Sequence, residues 1–125
     1  MSILDVLLHS DAPNVLKNLP KKEFEVTRLS EIAGTKVIFT LQALPYGKIQ
    51  DIRRMTDDDQ EIQILLQGCL EPNLKAPELM DHYDAVTPAE AVKSFLLGGE
   101  IADLSQEIER LSGYRRRTIE EVKNA

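Results

Sequence analysis

The chain has 125 residues, 42% hydrophobic and 29% charged, with a net charge of −6. That size suits one globular domain that buries roughly two thirds of its unfolded surface without metal or disulfide. The negative charge opposes a phosphate backbone and excludes sequence-independent nucleic-acid binding as a general role. With no Trp, three Tyr and three Phe, the core must rest on Leu, Ile and Val, and a single cysteine, Cys69, excludes an internal disulfide and suits a reducing, cytosolic compartment.

Ile3, Leu4, Leu7 and Leu8 predict a short amphipathic helix, and Val15, Leu16 and Leu19 a second one ended by Pro20, giving an amino-terminal helical piece over residues 2–19. Its apolar run has no basic flank and is too short for a signal peptide or a membrane span. From Lys22 the period changes to two. Phe24 and Val26 alternate with Glu23, Glu25 and Thr27, and Val37, Phe39, Leu41 and Ala43 alternate with Ile38, Thr40 and Gln42, which predicts two strands of a hairpin within residues 22–44. The link Leu29-Ser30-Glu31-Ile32-Ala33-Gly34 is too long for a tight turn and suits a helical turn ended by Gly34.

Helices fill residues 45–123. Pro45 opens a short one bearing Ile49, Ile52 and Met55; Asp57-Asp58-Asp59 precedes a stronger one in which Ile62, Leu65, Leu66, Cys69 and Leu70 share one face, widened by Ile64. After Pro72-Asn73, Pro77 begins a helix carrying Leu79, Met80 and Tyr83. Thr87-Pro88-Ala89-Glu90 reads as a capping box for a helix burying Val92, Phe95 and Leu96. Gly98-Gly99 then serves as a joint to a second amphipathic helix, in which Ile101, Leu104, Ile108 and Leu111 recur at spacings of three, four and three. Asp103, Gln106, Glu107, Glu109 and Arg110 take the opposite side. A last helix from about Arg116 presents Ile119 and Val122. The fold class is therefore α+β and predominantly helical, with one β-hairpin covered by several short amphipathic helices, in a single domain over 1–125.

The residues that carry chemistry in enzymes do not assemble into a pattern. His9 and His82 each neighbour carboxylates, in His9-Ser10-Asp11 and Asp81-His82-Tyr83-Asp84, but no further ligands follow at the spacing of a metal site. The aspartates at 57–59 lack the glycine and distal glutamate of a calcium loop and suit the positive end of the helix that follows. Cys69 sits in an apolar run as a packing residue. Gly98-Gly99 has neither the preceding strand nor the Gly-Lys-Ser/Thr of a phosphate cradle. Arg115, Arg116 and Arg117 suit a solvated run pairing with Glu107, Glu109, Glu120 or Glu121. No catalytic, cofactor or metal site is expected, and no cofactor. Two readings of the apolar stripe stay open, the domain's own core or a surface for a partner; on the second, the contact residues are Ile101, Leu104, Ile108, Leu111 and Tyr114.

Taken in order, Phe24-Glu25-Val26-Thr27-Arg28-Leu29-Ser30-Glu31, the Ile62–Gly68 helix with Glu71-Pro72-Asn73-Leu74 after it, Thr87-Pro88-Ala89-Glu90, Gly99-Glu100-Ile101 and Leu111-Ser112-Gly113-Tyr114 give the chain its family likeness. It resembles the XkdN-like phage tail assembly chaperones, found also in PBSX-type prophages, from about Leu4 to Val122. The resemblance implies a non-enzymatic protein of the bacterial host cytoplasm that binds the tape measure protein, keeps it soluble and helps recruit tail tube subunits before leaving the particle. A permanent structural or adaptor component of the tail is the alternative. Homo-oligomerisation is left open, and neither nucleic acid nor membrane is an expected partner.

Overall fold

The structure, a computed structural model, describes residues 2–9, 14–55 and 59–123. Among them seven helices and three strands follow in the order α1 (Ile3–Leu8), β1 (Lys21–Glu25), α2 (Thr27–Ala33), β2 (Ile38–Gln42), α3 (Tyr46–Met55), α4 (Gln60–Gly68), β3 (Cys69–Glu71), α5 (Pro77–His82), α6 (Pro88–Phe95) and α7 (Gly98–Leu111). This is the helix-dominated α+β class that the two periodicities predict.

The two predicted strands form and pair antiparallel, with Phe24 opposite Phe39 and Lys22 opposite Leu41. Between them α2 ends at Gly34, whose φ of 72° lies in the left-handed region that only glycine enters without strain, and whose N–H donates to the Ser30 carbonyl. The Ser30 hydroxyl accepts from the Val37 N–H at 2.8 Å and so ties the loop to the start of β2.

The sheet differs from the expected hairpin by a third strand. Cys69 and Leu70, read as the end of the α4 face, leave the helix, and Cys69-Leu70-Glu71 pairs antiparallel with the other side of β2. Two forces end α4 at Gly68. Pro72 disfavours helical geometry at Glu71, and the edge of β2 offers hydrogen-bonding groups that would otherwise stay unpaired. The strand order is β1-β2-β3, which leaves β1 with a free edge. Its outward side chains Lys21, Glu23 and Glu25 are exposed.

Phe39 and Leu41 point from β2 into the core, where they join Ile62, Ile64, Leu65 and Leu66 of α4 and Ile49 and Ile52 of α3. Against both α4 and β2 packs α7, which buries Ile101, Leu104 and Ile108. The approach of these two helices is close enough to require glycine: a Cβ at Gly68 would stand 2.7 Å from both Cδ1 and Cγ2 of Ile108. The end of α7 is fixed to the end of β2, because the Ser112 hydroxyl accepts from the Leu44 N–H at 2.9 Å and donates to the Ile108 carbonyl at 2.7 Å.

Four further expectations change. Val15 to Leu19 form no helix but a turn in which the Asn14 carbonyl accepts from the Lys17 and Asn18 N–H groups, since so short a run has no face to bury. Residues 115–123 form no helix either, and Ile119 and Val122 are exposed, with no apolar wall against which a helix would gain. Met55 is exposed while Ile49 and Ile52 of its helix are buried. Gly98 and Gly99 are the first two residues of α7 and not a joint; the break between helices falls at Leu96 and Leu97.

Candidate partner-binding surface

The capped helix α6 begins as the sequence predicts, with the Thr87 hydroxyl accepting from the Glu90 N–H at 3.2 Å. The Glu90 carboxylate reaches back one residue further than expected, to the Val86 N–H. At the start of α7 the Glu100 carboxylate accepts from the Leu97 N–H at 2.7 Å. It also takes a two-pronged contact from Arg28, whose Nε and Nη2 donate at 2.9 and 2.8 Å while Nη2 also donates to the Phe95 carbonyl at 2.7 Å. One guanidinium thereby clamps the start of α2 to the α6–α7 junction.

The Arg28 hydrogen bonds hold the Glu100 carboxyl below its ordinary value, against the opposing effect of burial and with help from the Leu97 N–H and the Arg28 charge. A carboxyl lowered on folding binds its proton more weakly folded than unfolded, so its stabilisation is complete above the unfolded pKa of about 4.3 and fades as pH falls through the lower folded value. Urea melts of Glu100→Gln and the native chain are expected to differ most at neutral pH, with the gap narrowing as pH falls below the usual carboxylate range; a gap unchanged with pH would mean that charge at Glu100 is not what holds the junction.

Three of the five stripe residues, Ile101, Leu104 and Ile108, lie in the core of this chain against α4. A partner reaches them only if α7 detaches. The buried arc is also wider than the stripe. Ser105 is enclosed, and Glu109, expected on the outer side, is buried with its Oε1 3.1 Å from Arg115 Nε. Leu111 and Tyr114 sit at the margin, half-buried. The Arg53 guanidinium lies 5.1 Å from the Tyr114 ring centre, a cation–π contact.

Leu111 and Tyr114 form one wall of an apolar cleft of about 380 Å3. Val15, Leu19 and Pro20 form another, and Leu44, Pro45 and Tyr46 a third. The sequence signal for the last wall is the run Ala43-Leu44-Pro45-Tyr46, apolar beyond the end of a strand and before any helical period. A second apolar groove, about 480 Å3, runs between Leu29, Val37, Pro72, Leu79 and Phe95. Elsewhere Ile3, Leu4, Leu7, Leu8, Leu16, Val86 and Leu97 are exposed, as is Tyr46 in the first cleft.

A polar cleft of about 770 Å3 carries two ion pairs, Lys93 with Asp59 at 3.2 Å and Arg115 with Glu109. Asp59 stands at the N-cap of α4, where the sequence places an acidic residue, in a left-handed conformation; it makes no side-chain cap hydrogen bond and pairs with Lys93, and Asp57 and Asp58 lie outside the described residues. His82 stacks edge-on against Tyr83, which stacks on Phe95. Among the described residues no three His, Cys, Asp or Glu side chains come together as a metal-holding group, and no helix is long and apolar enough to cross a membrane.

Cys69 is half-buried, with its thiol aimed at the Glu71 and Pro72 carbonyls. Burial pushes the thiol up to about 12, against a lowering by the Glu71 backbone contact, so it stays protonated and unreactive at neutral pH. Labelling by a disulfide reagent at pH 8 is expected to run at least about a hundredfold slower on the folded chain than in urea. Equal rates would place Cys69 in a more open setting.

Fold and surface together define a small α+β domain, held by an aliphatic core and a few ion pairs, that leaves apolar side chains and clefts uncovered. The chain belongs to the XkdN-like phage tail assembly chaperone family, whose model matches residues 4–125. The role that family carries is assembly and not catalysis. The crystal structure of the protein YqbN has the same fold, with a TM-score of 0.64 at 22% identity over 86% of this chain and 94% of that one. No curated protein matches the chain.

Proposed function

We propose that this chain works in the bacterial host cytoplasm as a single-domain chaperone that binds the tape measure protein during tail assembly. It keeps that protein soluble and helps bring tail tube subunits to it. The observation that carries this reading is the family match over residues 4–125. The uncovered apolar surface supports it physically. A long helical protein exposes apolar stripes before assembly, and the cleft lined by Leu44, Tyr46, Leu111 and Tyr114 is a concave apolar seat for such a stripe. The net charge of −6 keeps loaded complexes apart. On this reading Leu111 and Tyr114 touch the partner, while Ile101, Leu104 and Ile108 hold from inside the helix that presents them.

Co-expression with the tape measure protein of the same gene cluster tests this. The soluble fraction of that protein is expected to rise several-fold with the native chain and to fall back with Tyr46→Asp, an exposed cleft residue whose replacement leaves the circular dichroism unchanged. A tape measure protein equally insoluble with and without the native chain overturns the reading.

A further inference from the structure

The helix α2 is held from outside itself. It runs for seven residues, no side chain caps its first turn, none of its residues is buried, and Ile32 is 72% exposed. So short and so thinly covered a helix does not persist in water on propensity, and its ties to the rest of the chain decide whether it forms. Two of its side chains reach beyond the hairpin. Leu29 packs on the core and lines the groove of about 480 Å3 with Val37, Phe39, Leu79 and Phe95. Arg28 makes the other tie, through the Glu100 carboxylate and the Phe95 carbonyl. Both ties lie in the first turn, whereas every residue from Glu31 to Lys36 is exposed.

We propose that α2 is a latch, held shut by Arg28, that opens as a unit while the sheet and α3 to α7 stay folded. The hairpin is closed beneath it, because the β1–β2 ladder runs from Lys21 and Gln42 to Glu25 and Ile38, and the Val26 N–H then donates to the Val37 carbonyl at 3.0 Å. Opening α2 therefore breaks no strand pairing. Segments with little buried apolar area and exposed backbone open at the least cost, and α2 has both properties. The Arg28 side chain is 36% exposed, so water is at hand to take over its hydrogen bonds as they break. Opening lifts Leu29 out of the groove and leaves a wider apolar trough along Val37, Phe39, Leu79 and Phe95. A surface that would promote adhesion if always bare is thus uncovered only part of the time. The latch is a property of this chain alone and stands or falls independently of the tape measure protein.

Native-state hydrogen exchange of the full chain, with two substitutions, tests the latch. Arg28→Ala, which helix propensity alone would favour, is expected to speed exchange of the N–H groups of residues 30–34 by at least about tenfold. Ile108→Val, which loosens α7 against α4, is expected to speed the Leu65 N–H of α4 by roughly fivefold and to leave residues 30–34 unchanged, since the α4–α7 contact survives in the opened chain. Emission of the apolar dye ANS is expected to be higher with Arg28→Ala than with the native chain. Residues 30–34 speeded by Ile108→Val as much as Leu65 would show that α2 opens only when the whole domain unfolds. Arg28→Ala speeding residues 97–101 but not 30–34, or leaving dye emission unchanged, would equally overturn the latch.

Discussion

Replacing Ile108 by aspartate is expected to leave the chain unfolded at room temperature. Ile108 is fully enclosed between α7 and α4, inside the cluster that includes Leu65 and Leu104. The substitution removes a large aliphatic side chain from a site that cannot collapse, which costs about 2–5 kcal/mol. It also places a carboxyl there with no partner, which adds several kcal/mol more or forces the group to take up a proton. Against a total stability of roughly 5–15 kcal/mol for a domain of this size, the sum removes most or all of the margin. Far-UV circular dichroism at 25 °C and a urea melt check this, with Val86→Asp as the exposed control. Ile108→Asp melting like the native chain would mean that the α7 stripe faces outward and is free for a partner.

Gly68→Ala is expected to destabilise by about 1–3 kcal/mol, opposite in sign to what helix propensity alone gives. In an unconstrained helix the change is favourable by about 1 kcal/mol. Here the added methyl would sit 2.7 Å from two atoms of the fully buried Ile108, so the helices or that side chain must move, and overpacking of that kind costs about 1–3 kcal/mol beyond the propensity gain. Ile108→Ala removes the opposing atoms and leaves a cavity costing about 2–5 kcal/mol by itself. The double variant should therefore be less destabilised than the sum of the singles, by at least about 1 kcal/mol in a double-mutant cycle from urea melts. Additive losses, or a Gly68→Ala variant more stable than the native chain, would show that α4 and α7 do not approach so closely.

Much of this architecture was legible from spacing. The alternation through Phe24 and from Val37 to Ala43 locates β1 and β2, and the Ile62, Leu65, Leu66 face locates α4, because each pattern is local and its period belongs to one kind of element. Thr87 and Pro88 mark the start of α6 for the same reason. What escaped is non-local. Cys69 and Leu70 continue a helical spacing, and only the unpaired side of β2 draws them into a strand. Ile119 and Val122 have helical spacing with nothing to cover them. Arg28 and Glu100 stand 72 positions apart, so their pairing is invisible to any window along the chain. For the surface, periodicity identifies the apolar side of α7 but not what it meets, since a core and a docking face ask for the same residues. Leu111 and Tyr114 become part of a cleft only when Val15 and Tyr46, from distant segments, are brought beside them.

The free side of β1 has a consequence for how copies of the chain crowd together. A bare strand edge is a template on which foreign backbone zips up, and runs of such pairing end in fibrils. Here the rim reads Lys-Lys-Glu-Phe-Glu, with charge at four of its five places, so any incoming strand would have to strip water from ammonium or carboxylate groups. Backbone-to-backbone adhesion along β1 is thereby disfavoured, and this edge of the sheet repels the copies that a bare one would gather.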